Sequence, residues 1–151
     1  MRLRAAPIAA VLGAAVTLAA ALPQPAAANY DWNDLGAEFC RLTLAGDLPG
    51  MRPILSEQLA ADIMQAAART TLPPARVLFQ SYTQEVPVCR VRTRSAAIVE
   101  IHRSNPGGAA PAWTEYLVIV PERDGTTRID DVLFATRRSD TLRARLQAWA
   151  R

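Results

Sequence analysis

Few side chains in this sequence are equipped to do chemistry. The 17 basic residues are all arginine, the one histidine is His102, and the cysteines are Cys40 and Cys89. Without lysine there can be no P-loop lysine, Schiff-base lysine or Ser–Lys dyad. A zinc cage of histidine and cysteine needs four ligands, and three candidates fall short. A site completed by a carboxylate is the one arrangement left, and no metal or cofactor is expected. No serine sits in a nucleophile elbow, and no glycine-rich loop could cradle a phosphate.

The adjacent carboxylates Asp130 and Asp131 form the most conspicuous polar pair. On a strand they point to opposite faces, so only one can enter a pocket. If Ile129, Asp131 and Leu133 face inward, Asp131 is a buried carboxylate able to act as general base, with His102 or Tyr116 assisting. The structural reading pairs it instead with Arg90, Arg92 or Arg94 on a neighbouring strand. His102 shares a strand face with Glu100 and could shuttle protons near neutral pH. A solvent-facing histidine at a strand end is the plainer reading. Arg90, Arg92 and Arg94 recur at period two and could hold an anionic ligand or partner in their guanidinium forks, although a solvated sheet face would show the same pattern. Trp113, Tyr116 and Asp131 are the candidate pocket residues, whereas Trp32 and Trp149 read as core.

These residues must be positioned outside the cytoplasm if the first 28 residues are what they resemble. Arg2 and Arg4 precede an uncharged stretch from Ala5 to Leu22, which ends in Pro23-Gln24-Pro25 and Ala26-Ala27-Ala28. A basic start, an apolar run and a small-residue exit make a secretory signal peptide, with cleavage expected after Ala28. Residues 29–151 then form a single domain, periplasmic or secreted, without a membrane span. In an oxidising compartment, Cys40 and Cys89 are expected to be bridged. Loss of Arg2 and Arg4 brings the mature chain close to neutrality, with residues 29–68 acidic on balance and residues 137–151 basic. That balance gives nucleic-acid binding little electrostatic support.

Hydrophobic spacing supplies the elements. Trp32, Leu35, Phe39 and Leu42 form one stripe of a helix from Asp31 to Gly46, which the glycine stops. A turn over residues 47–50 and a short helix over residues 51–55 follow. Ser56 caps a helix reaching about Arg69, and Pro73-Pro74 cannot continue it. Alternation then predicts strands over residues 86–94, 96–103, 113–120 and 127–136, the third apolar on both faces and so central. Asp124-Gly125 marks a hairpin before the fourth strand, and Asp140 can cap a closing helix with Leu142, Leu146 and Trp149 on it. Helices segregated at the ends of consecutive strands point to an α+β fold.

The stretch Gly46-Asp47-Leu48-Pro49-Gly50-Met51-Arg52-Pro53-Ile54-Leu55-Ser56-Glu57-Gln58-Leu59 matches a helix, spacer and L-x-P-x-L-S-x-x-L element. Together with Trp113-Thr114-Glu115-Tyr116-Leu117-Val118-Ile119-Val120 and Arg128-Ile129-Asp130-Asp131-Val132, it resembles small exported bacterial proteins of the DUF3828 kind, in the NTF2-like (cystatin-like) group. Arg128 stands where that pattern usually has tryptophan, and the region 72–87 is shorter and less polar than the pattern. The resemblance implies a cone: helices against a curved antiparallel sheet of about four strands, a closing C-terminal helix, and a pocket between them. It implies no reaction, because function on such folds lies in the pocket residues. The expectation is an exported non-enzymatic domain binding a small molecule or a partner protein, as an envelope accessory or immunity-type factor. The alternative is an isomerase- or dehydratase-type pocket enzyme using Asp131. A third reading is a homodimer formed through the outer sheet face.

Overall fold

The computed structural model describes residues 31–81 and 86–151; the expected signal peptide and cleavage position lie outside the described residues. The fold of the described residues is α+β, with five α-helices and a four-stranded antiparallel sheet in the order β1-β2-β3-β4. Among the described residues no helix is long and apolar enough to cross a membrane.

Helix α1 spans Trp32–Ala45. Asp31 caps it by accepting a hydrogen bond from the Asp34 N–H at 2.8 Å, which satisfies one of the orphan donors of the first turn. Gly46 ends it in the left-handed conformation, φ +71°, where its N–H reaches back to the carbonyls of the last turn. Leu35, Phe39 and Leu42 from the expected stripe are buried, and Trp32 is half-buried at its edge. Asp47 caps a short helix α2, Leu48–Met51, where a turn was expected, and a 3₁₀ turn Arg52–Ile54 leads out of it. Helix α3, Glu57–Ala67, starts at the Ser56 cap, and one further turn of helix, α4, covers Ala75–Leu78 just after the proline pair.

Strands β1 (Val88–Ser95), β2 (Ile98–Ser104), β3 (Trp113–Pro121) and β4 (Thr127–Phe134) follow as consecutive antiparallel neighbours. One face of the sheet, carrying Val99, Ile101, Leu117, Ile119, Ile129, Val132 and Phe134, packs with the buried side chains of the helices in a single core. The disulfide Cys40–Cys89, closing a separation of 49 residues, ties α1 to β1 across that core. Close contact is required beside it. A Cβ on Gly36 would stand 2.5 Å from Val91 Cγ1 and 3.0 Å from Val99 Cγ1, so the glycine lets the helix lie directly on the sheet.

The closing helix α5 spans Leu142–Trp149 and buries Leu142 and Leu146 against α3 and β4. Two expectations about it are corrected. Its N-cap is Thr141, whose hydroxyl accepts from the Ala144 N–H at 3.2 Å. Asp140 instead holds Arg145, accepting from Nε and Nη2 at 2.8 and 2.9 Å. Trp149 is 37% exposed and so is not a core residue.

Candidate functional site

The ladder register assembles the face of the sheet opposite the core. Arg90 lies opposite His102, which lies opposite Thr114. In the next row stand Arg92, Glu100, Tyr116 and Leu133, and beyond it Ile98, Val118 and Asp131. None of these side chains belongs to the core. The three arginines of β1 are exposed, while His102, Glu100, Tyr116 and Val118 are half-buried among their neighbours. Arg94, the extra residue where the β1–β2 register shifts, turns back to form an ion pair with Glu100. Arg90 and Arg92 make no ion pair with any described residue. Guanidinium forks repeated at the strand period can grip carboxylates one after another along an extended partner.

His102 is a structural neighbour here: its Nδ1 stands 3.2 Å from the Thr114 hydroxyl. The register also separates it from Asp131. They lie on β2 and β4, opposite Thr114 and Val118 of the strand between, about 13 Å apart along the strand direction. The structure does not bring them together as an acid–base pair.

A register shift in β4 determines where Asp131 goes. Val118 pairs with Asp131 and Ile119 with Ile129, so Asp130 is an extra residue inserted between them. Such a bulge reverses the alternation beyond it. The inward set is therefore Ile129, Val132 and Phe134, in place of Ile129, Asp131 and Leu133. Asp131 Oδ1 accepts from the N–H of Val132 at 2.8 Å and of Arg143 at 3.1 Å, so it caps the first turn of α5 rather than pairing with an arginine of β1. The arginine in this region is Arg143. Its guanidinium holds Asp130 at 2.6 Å and also reaches Asp62, while Asp130 accepts from the Ser56 hydroxyl at 2.7 Å. This network joins α3, β4 and α5. Close by, the Arg145 guanidinium beside Asp140 and the Thr136 hydroxyl hold the Asp140 carboxyl below its ordinary range, against the opposing effect of burial.

Trp113 lies on the other face, in a polar cluster that patterning did not single out. Arg103 and Glu115 are both fully buried and paired, Nε to Oε2 at 3.0 Å. Glu115 Oε1 accepts from the Trp113 indole at 3.0 Å and the Ser81 hydroxyl at 2.9 Å, and also from the Ser81 N–H. Arg103 Nη2 donates to Thr43 at 3.2 Å, and its guanidinium lies 5.7 Å from the Phe39 ring centre. The signal was present in the alternation: Arg103 follows Val99 and Ile101 on their parity, and Glu115 precedes Leu117 and Ile119 on theirs. A cleft of about 500 Å³ opens beside this end of the sheet, lined by Leu44, Arg76, Gln80, Val86, Pro87 and Asn105. It contains neither Tyr116 nor Asp131, which lie on the opposite face.

Among the described residues no three histidine, cysteine or acidic side chains gather as a metal site. No family model, curated protein or solved structure matches the chain.

Proposed function

We propose that residues 29–151 are an exported, non-enzymatic binding domain, periplasmic or secreted, that holds an anionic partner on the open face of its sheet. The observation that carries this reading is the row of exposed arginines on β1, two of them without an intramolecular ion pair among the described residues, on a face that contributes nothing to the core. The disulfide fits an oxidising compartment. Asp131, the general base of the enzymatic alternative, is engaged by two backbone N–H groups, a role that needs no substrate. We read the architecture as an NTF2-like cone of the DUF3828 kind. Helices gathered on one face of a four-stranded antiparallel sheet support that reading.

The test is a titration of the mature protein with fluorescein-labelled acidic peptides and with free dicarboxylates, at several salt concentrations. Binding should weaken as salt screens the exposed charges and should weaken again in the Arg90→Ser/Arg92→Ser variant. Equal affinity of wild type and variant for every probe would refute the assignment of the partner to this face.

A further inference from the structure

We infer that the partner is an extended acidic segment that adds to the outer edge of β1 as a fifth strand, and this rests on the binding function proposed above. The two edges of the sheet are treated differently. The β4 edge is closed: Leu55 bridges Ile129, Thr141 bridges Leu133, the Ser56 N–H donates to the Ile129 carbonyl at 2.8 Å, and the Phe134 N–H donates to the Asp140 carbonyl at 2.9 Å. Among the described residues strand β1 pairs with β2 alone, and none bridges its other side. Alternate N–H and C=O groups from Val88 to Thr93, where the ladder is regular, therefore point outward in the pattern that a further strand would complete.

Charge selects the occupant. Arg90 and Arg92 project from the same face, about 7 Å apart, which is the two-residue repeat of a strand. A segment lying alongside would carry its own alternate side chains opposite them, about 5 Å away, so acidic residues at every second position would meet each guanidinium. A second copy of this chain is a poor occupant. A twofold antiparallel β1–β1 pairing keeps the same faces on the same side and sets arginine opposite arginine, which is repulsive. Arginines on an edge strand also discourage unselective pairing, so the edge is guarded against neutral or basic strands while staying open to acidic ones.

The probe is an eight-residue labelled peptide alternating glutamate and threonine, titrated into the mature wild-type protein. Two comparison peptides carry the same charge. In one the glutamates are grouped in a block, and in the other alternate backbone nitrogens are methylated. The alternating peptide should bind about tenfold more tightly than either, and the Arg90→Ser/Arg92→Ser variant should lose about tenfold, as two exposed charge pairs supply. Amide hydrogen exchange in β1 should slow on binding. Equal binding of all three peptides, with β1 exchange unchanged, would overturn strand addition while leaving the arginine face as the binding surface. Binding of none of them would overturn both readings. Sedimentation of the free protein as a β1-paired dimer, with β1 amides protected, would also overturn the assignment.

Discussion

Replacing Glu115 tests whether the buried charge cluster is as tightly interlocked as its geometry requires. Both side chains of the Arg103–Glu115 pair are fully buried. Glu115→Leu removes the carboxylate and leaves the Arg103 charge with Thr43 as its one remaining hydrogen-bond acceptor among the described residues. Breaking a buried pair from one side costs about 3–5 kcal/mol, because the surviving charge is left uncompensated. The Trp113 indole and Ser81 N–H each lose their hydrogen bond to the Glu115 carboxylate as well, at about 1.5–3 kcal/mol for a bond to a charged group. The single variant should therefore lose at least about 4 kcal/mol, a large share of the roughly 5–15 kcal/mol that holds a domain of this size together. Arg103→Met/Glu115→Leu removes both charges and keeps the volume. It should recover most of the ionic part and retain the cost of the lost hydrogen bonds, so the double variant should be more stable than the Glu115→Leu single. Urea unfolding of the three proteins, monitored by tryptophan fluorescence and circular dichroism, gives the differences. A Glu115→Leu variant within about 1 kcal/mol of wild type would show that water reaches the pair, and a double variant less stable than the single would show that the unpaired Arg103 charge carries no burial penalty.

Gly36→Ala should destabilise by about 1–3 kcal/mol, although alanine is the better helix former, because the added Cβ overlaps Val91; a thermal melt at or above the wild-type midpoint would contradict the close approach of α1 to β1. Reducing the Cys40–Cys89 bridge, which closes a separation of 49 residues, should lower the unfolding free energy by about 4 kcal/mol, measured by denaturant titration with and without reductant. Asp140→Asn should destabilise at neutral pH. The Asp140 pKa is depressed in the folded state, so its contribution is complete above the unfolded value near 3.8 and fades as pH falls through the folded one. Melts of the two proteins should accordingly converge in acid, and a deficit independent of pH would count against the Arg145 pairing. Asp131→Ala should cost about 1 kcal/mol by removing the acceptor at the start of α5, whereas Asp131→Asn keeps an acceptor oxygen and should cost less; a stabilised Asn variant would return Asp131 to the role of a charge strained by burial.

Local patterns were enough where the structure answers to local geometry. The spacing of Leu35, Phe39 and Leu42 places one face of α1 in the core, and Gly46 supplies the left-handed stop whatever lies around it. The two-residue alternation of β1 and β2 sends Arg90 and Arg92 out and Val99 and Ile101 in, because a strand turns its side chains to opposite faces without needing to know its neighbours. The cysteine count, read with the expectation of export, anticipates the bridge.

What the tertiary structure decided depends on residues far away in the chain. The extra residue at Asp130 is accommodated where β4 meets Ser56, Asp62 and Arg143, and that insertion turns Asp131 away from the core and toward α5. No periodicity within residues 127–136 contains the partners that hold a bulge in place. Thr141 rather than Asp140 caps α5 because Asp140 is claimed by an arginine that only the folded helix brings round to it. Arg103 and Glu115 sit on inward positions that alternation marks plainly, but a charge there is tolerable only when strand register sets its counter-charge beside it. Periodicity assigns a side chain to a face; the partner that makes that face tolerable comes from another strand or helix, and folding alone delivers it.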